Sequence, residues 1–219
     1  MRAAVSIVIL ALLANTAMAE PRQVSEYEWQ GVDRIVAIAD IHGDYDQYMA
    51  TLKAAGLVDR KGRWSGGETH LVQLGDIPDR GPDTLRIIEH IDKLARQAKR
   101  KGGRVHGLLG NHEVMNVTGD LRYVHPGEYE AFVTRNSQAL QDRHFEAYLA
   151  NLEQSDPEAF ATLPEDFRAQ FNERYPLGWI EHQQAWNPAW NPDAEYAKWV
   201  MQRKVAVQVN ETVFLHGGL

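Results

Sequence analysis

Not one of the 219 residues is cysteine. That excludes disulfides, thiol nucleophiles and thiolate metal sites, and leaves packing and bound metal as the sources of stability. Long hydrophobic runs are missing as well. The longest, Ala3 to Ala14, is too short to cross about 30 Å of hydrocarbon as a helix. Basic charge is in deficit: 23 Lys and Arg face 30 Asp and Glu, for a formal net charge of −7. An acidic chain is a poor generic binder of polyphosphate backbones, so no nucleic-acid partner is expected.

What is present, 44% hydrophobic and 24% charged residues, is an ordinary globular composition. The first nineteen residues differ from the rest. Arg2 supplies a small positive region, Ala3 to Ala14 an apolar one, and Ala17-Met18-Ala19 a small-x-small cleavage site. Residues 1–19 therefore read as a signal peptide, which places the mature protein, from Glu20, in a periplasmic or secreted location with no stable membrane association after cleavage. Residues 20–219 are one domain.

Glu20 to Gly31 is polar and aromatic without a strong period, a lead-in that docks Tyr27 or Trp29 on the core. Arg34 to Ala39 is nearly continuous apolar sequence of strand length, which suits a central strand buried on both faces. Tyr48, Leu52 and Ala55 then recur at helical spacing with a stop at Gly56, and Asp59 to Glu68 is turn-like. Thr69 to Leu74 is a second strand and Arg104 to Leu109 a third. Between them Leu85, Ile88, Ile91, Leu94 and Ala95 form one stripe of a helix over Pro82 to Lys101. Alternating strands and helices predict an α/β layered core. The stretch between Val114 and Lys204 is helical in pattern at Phe132 to Leu152 and Pro164 to Phe171, so about 117–203 is a helical cap inserted over the site. Val205 to Val209 and Val213 to Leu215 close the chain as a β-hairpin.

Each predicted strand ends in a polar turn: Asp40-Ile41-His42-Gly43-Asp44, then Gly75-Asp76-Ile77-Pro78-Asp79-Arg80-Gly81, then Gly110-Asn111-His112-Glu113, and finally His216-Gly217-Gly218. In α/β folds ligands bind at such strand ends. Asp40, His42, Asp76, Asn111 and His216 are oxygen or imidazole donors, and this set suits Mn, Fe or Zn. If Asp76 bridges two ions, Asp40 and His42 complete one side while Asn111 and His216 begin the other. Such a pair stabilises the attacking and leaving oxygens of a phosphoryl displacement by a metal-activated water. Arg80 offers a planar fork for two phosphate oxygens. His112 is in place to protonate a leaving oxygen, with Asp79 to hold its ring.

The strings DIHGD, GDIPDRG, GNHE and HGG, in that order, resemble the motifs of the phosphoprotein phosphatase branch of calcineurin-like metallophosphoesterases. The long insertion and the signal peptide are most similar to bacterial Shewanella-like protein phosphatases. This resemblance implies a layered metallophosphoesterase core, a β-sandwich flanked by helices, with two divalent metal ions on Asp40, His42, Asp76, Asn111 and His216. It also implies phosphate binding by Arg80 and Asn111, and a proton-donating pair of His112 and Asp79. The expected function is metal-dependent hydrolysis of phosphate monoesters, on Ser/Thr or Tyr phosphoproteins. The family carries a further histidine ligand and a further arginine beyond HGG, while this sequence stops at Leu219. A chain truncated at its carboxyl end, with weak binding of the second metal and low activity, is therefore expected.

Two other functions fit the same motifs: a small-molecule phosphohydrolase acting on dinucleoside polyphosphates, and an inactive relative serving as a binding module. His70, His90, His106, His125, His144 and His182 lie outside the motifs and read as surface or packing residues. Glu113 suits either a helix-starting carboxylate or a support for the metal ligands. Trp179, Trp186, Trp190 and Trp199 read as core of the cap rather than as a substrate groove.

Overall fold

The computed structural model describes residues 22–218; the expected signal peptide at 1–19 lies outside them. Strands β1 (Arg22–Gln23) and β2 (Glu28–Gln30) come first. The core unit follows as β3 (Ile35–Ile38), α1 (Tyr45–Ala54), β4 (His70–Gln73), α2 (Thr84–Lys99) and β5 (Arg104–Gly107). Strands β3, β4 and β5 form a parallel sheet in that order, with Val36 opposite Leu71 and Leu71 opposite Val105. Parallel neighbours need a crossover, and α1 and α2 supply the two here.

Helix α1 starts because the Asp44 carboxylate accepts the Gln47 amide at 2.9 Å, capping an otherwise unpaired donor. Helix α2 turns Ile87, Ile88, Ile91, Leu94 and Ala98 inward, and its last turn carries Arg96 and Lys99, where cations complement the helix dipole. Both helices pack on one face of the parallel sheet, where Leu52, Leu57, Ile87 and Leu94 join Leu71 in the larger core. Each such fully buried side chain contributes about 1.5–3 kcal/mol.

The opposite face of that sheet meets a second one. Strands β6 (Ala206–Val209) and β7 (Thr212–Leu215) form a hairpin, and the second sheet runs β1-β2-β6-β7. Val72 of β4 and Leu108, just past β5, pack against Trp29, Val32, Val207 and Val209. Helices, parallel sheet and mixed sheet are thus three layers, the β-sandwich flanked by helices that the motifs lead one to expect.

Between β5 and β6 come α3 (Asn111–Thr118), α4 (Pro126–Glu130), α5 (Ser137–Ser155), α6 (Pro157–Ala161), α7 (Phe167–Arg174), α8 (Trp179–Trp186) and α9 (Glu195–Met201). The insertion is helical, as its pattern predicts. Trp186 and Trp199 are buried in the larger core, while Trp190 is 43% exposed. Among the described residues no helix is long and apolar enough to cross a membrane.

Two expectations need correction. Among the described residues β3 is an edge strand with exposed Ala37, and it is β4 that has every residue buried. The lead-in is also more than a lead-in. β2 pairs in parallel with β6, so Trp29 lies opposite Val209, whereas Tyr27 stays exposed. These strands hide in sequence because they are two and three residues long and mostly polar, too short for a period to emerge.

Candidate metal and phosphate site

Three strand-end turns meet because their backbones are stitched together. The amides of Ile41 and His42 donate to the Asp76 carbonyl at 2.9 and 3.0 Å, and the Gly43 amide donates to Ile77 at 2.8 Å. The turn after β4 touches the turn after β5 as closely, for a Cβ on Gly110 would overlap the Asp76 side chain and backbone. His42, Asp76, Asp79 and Arg80 all have positive φ, at 49°, 56°, 73° and 64°. L-residues rarely adopt that conformation, and where the surroundings impose it, function is the usual reason.

Asp76 is the centre. Its Oδ1 accepts the His112 amide at 2.9 Å, and its Oδ2 faces three imidazoles: His216 Nε2 at 3.3 Å, His42 Nε2 at 3.9 Å and His112 Nε2 at 3.9 Å. Asp40 lies 3.7 Å from His42 Nε2 and 3.9 Å from His216 Nδ1, and Asn111 Oδ1 is 3.2 Å from His216 Nε2. All five expected ligands therefore come together. Bonds of about 2.1 Å at tetrahedral angles put ligand atoms roughly 3.4 Å apart, the scale of these separations.

The tautomers agree with a metal. His42 Nδ1 lies 3.1 Å from the Pro78 carbonyl and His216 Nδ1 lies 3.0 Å from the Leu74 carbonyl. A carbonyl only accepts, so both Nδ1 atoms carry the hydrogen, and in the neutral ring this leaves the Nε2 lone pairs turned to the carboxylates. His42 Nε2 is buried with no hydrogen-bond partner. A buried acceptor without a donor is costly unless a cation takes its lone pair. Among the described residues, His42, Asp76 and His112 form one group of donors close enough to share an ion, and Asp40, Asp76 and His216 another.

Beside this centre His112 Nδ1 donates to Asp79 Oδ2 at 2.5 Å, and Asn116 Nδ2 donates to Asp79 Oδ1 at 2.9 Å. His112 Nε2 is thereby turned toward Asp76 and lies 3.4 Å from an Arg80 guanidinium nitrogen. The Tyr123 ring lies 5.2 Å from the His112 ring and 5.6 Å from the Arg80 guanidinium carbon, lining the outer side of the pair.

Glu113, fully buried, accepts three amides: Asp76 at 2.9 Å, Ile77 at 2.8 Å and Gly110 at 2.9 Å. It both stands in the first turn of α3 and ties the turn after β4 to the turn after β5. Burial pushes its carboxyl above the usual range, while those three amides act the other way. Glu128 of α4 accepts the Asp79 amide at 2.8 Å. Burial and the neighbouring Asp79 push its carboxyl up to about 8.

The motifs do not predict Asn116, Tyr123 or Glu128. Asn116 had a faint signal, four residues after His112 on the same helix face. Glu128 had none, since only the folding of the insertion brings it to Asp79. The remaining histidines stay outside the site. His70 and His106 are buried and bond to each other at 3.0 Å, and His182 is buried among Tyr129, Phe132 and Trp186.

The family model described as calcineurin-like phosphoesterase matches residues 33–219. The chain is 34% identical over 199 residues to Shewanella-like protein phosphatase 2 of Arabidopsis thaliana, covering 90% of this chain and 49% of that protein. It is 30% identical over 192 residues to Shewanella-like protein phosphatase 1 of Plasmodium berghei, covering 88% and 40%. The crystal structure of a cold-active protein-tyrosine phosphatase from a psychrophilic Shewanella superposes with a TM-score of 0.57 at 28% identity, covering 90% of this chain and 45% of that one. This chain thus spans about half or less of the length of these relatives.

Proposed function

We propose, from the premise that this chain belongs to the calcineurin-like phosphoesterase family, that it hydrolyses phosphate monoesters with two divalent metal ions and acts on Ser/Thr or Tyr phosphoproteins. One observation carries the reading. Two imidazoles with their Nδ1 hydrogens tied to carbonyls turn their Nε2 atoms toward a shared, buried carboxylate.

Asp40, His42, Asp76, Asn111 and His216 would hold the ions, and this oxygen and nitrogen set suits Mn, Fe or Zn. When bound, such ions supply an activated water and neutralise charge on the phosphoryl oxygens. The protein's own groups do the rest. Arg80 grips two phosphate oxygens with its fork and keeps its charge throughout. The Asn111 amide, on the rim beside His216, helps to orient the phosphate. His112, held at Nδ1 by Asp79, gives the Nε2 proton to the departing oxygen. A periplasmic or secreted location belongs to this proposal and is supported by the amino-terminal pattern alone.

A substrate panel on the metal-loaded full chain tests it: p-nitrophenyl phosphate, phosphoserine, phosphothreonine and phosphotyrosine peptides, and diadenosine polyphosphates. Turnover of p-nitrophenyl phosphate and at least one phosphopeptide class is expected. Turnover of the nucleotides with none of any phosphopeptide would overturn the substrate class, and no turnover of any compound would overturn the activity.

A further inference from the structure

The turn Asp79-Arg80 carries two of the groups assigned above, and both of its residues have left-handed backbones, φ 73° and 64°. Neither is glycine, so something outside the turn must hold it. Both amides donate into the start of the helical insertion: Asp79 to Glu128 Oε1 at 2.8 Å, and Arg80 to the Tyr123 carbonyl at 2.8 Å. The insertion also presses on the end of the turn, for a Cβ on Gly127 would lie 2.6 Å from Pro82 Cβ. Among the described residues, Glu128 is the side chain that accepts from the backbone of this turn.

We propose that Glu128 is a positioning residue: it locks the Asp79-Arg80 turn in its left-handed form, and so fixes where Arg80 meets phosphate and how Asp79 holds His112. The inference rests on the phosphatase reading above. It gives the first part of the insertion a defined task, to complete the phosphate grip from outside the four motif strings. The carboxyl, 2% exposed and pushed up to about 8, is mostly uncharged at neutral pH. It therefore works as a neutral acceptor and adds little negative charge next to Asp79, and an amide of the same shape should do its work.

Three variants of the full chain test this: Glu128→Ala removes the acceptor, Glu128→Asp withdraws it by one methylene, and Glu128→Gln keeps it. The probes are p-nitrophenyl phosphate turnover, calorimetric binding of inorganic phosphate to the metal-loaded protein, and the low-field proton resonance of His112 Nδ1–H. The Ala and Asp variants should lose about 10- to 100-fold in kcat/KM, as misplaced reacting groups do, with phosphate binding weakened in parallel. They should also shift or broaden the His112 proton while metal content stays that of the wild type. The Gln variant should restore all three readings most of the way.

Unchanged phosphate affinity and an unmoved His112 proton in the Asp variant would overturn the proposal, whatever becomes of the Ala variant's folding. So would a Gln variant as impaired as Asp, since that would make the effect one of packing. A wild type that binds phosphate without turnover sinks the phosphatase reading alone, because phosphate affinity and the His112 proton still report on Glu128.

Discussion

Replacing Glu113 should show how much of the site's geometry hangs on one buried carboxylate. Its two oxygens accept the amides of Asp76, Ile77 and Gly110, so it binds the turn after β4 to the turn after β5. In Glu113→Ala three buried donors lose their acceptor. At roughly 1–3 kcal/mol for each unsatisfied group, the sum is about 3–9 kcal/mol. That is comparable with the roughly 5–15 kcal/mol by which a whole domain is stable, so this variant should be largely unfolded. Glu113→Gln is milder. Its one oxygen, set where Oε2 lies, keeps Asp76 and Gly110, but its amide nitrogen then meets the Ile77 N–H donor to donor. One lost charge-assisted bond is about 1.5–3 kcal/mol, partly offset because the buried acid no longer has to be ionised. A net loss of about 2 kcal/mol should lower the urea midpoint by about 1 M with an unchanged slope. Glu113→Ala unfolding within about 0.5 kcal/mol of the wild type would refute the reasoning, since a surface substitution does no more.

Other outcomes follow from the same geometry. Arg80→Lys keeps the charge and loses the fork, so KM for p-nitrophenyl phosphate should rise about tenfold or more, with inorganic phosphate weakened as a product inhibitor; an unchanged KM would remove Arg80 from the phosphate. Gly110→Ala drives a methyl group into Asp76, so calorimetry should find weaker divalent-metal binding, and wild-type affinity would show that this close approach does not matter. His182 has its imidazole pushed down by burial to about 3 from an ordinary 6.5. It stabilises the fold fully above pH 6.5, and that contribution is lost as pH falls toward 3, amounting to about 3 kcal/mol by pH 4.5. His182→Phe, matched to its aromatic surroundings, should therefore lose less stability between pH 6.5 and 4.5 than the wild type, and equal losses by thermal melting would contradict it. Glu128 acts at the other end. Its carboxyl is raised from 4.5 to about 8, so its stabilising contribution is present below pH 4.5 and lost as pH rises to about 8; Glu128→Gln should flatten the loss across that window in thermal melts, and an unchanged slope would contradict it.

The site was legible where chemistry is concentrated. Asp40, His42, Asp76, Asn111 and His216 follow apolar runs, and a polar donor just past a strand lies at a sheet edge whatever the rest of the chain does. The helices α1 and α2 were legible for a similar reason, since their stripes and caps are local. Burial of β3 was not, because an apolar run does not say which strand becomes the sheet's edge. Nor were β1 and β2, short and mostly polar strands, of which β2 finds its partner β6 some 180 residues along the chain and β1 pairs only with β2. Glu128 and Asn116 were hidden for the same physical reason. What makes them matter is a contact with Asp79 formed only in the folded chain.

Titrating a divalent cation such as Mn²⁺ into chelator-treated protein, with p-nitrophenyl phosphate turnover as the readout, tests the proposed centre most directly. Turnover, low in this chain, should vanish on chelation, return only as cation is added in excess because the second site is expected to bind weakly, and fail to return in Asp76→Asn, whose neutral amide cannot bridge two ions. Turnover that survives chelation, or an Asp76→Asn variant that recovers like the wild type, would contradict a metal centre built on that carboxylate.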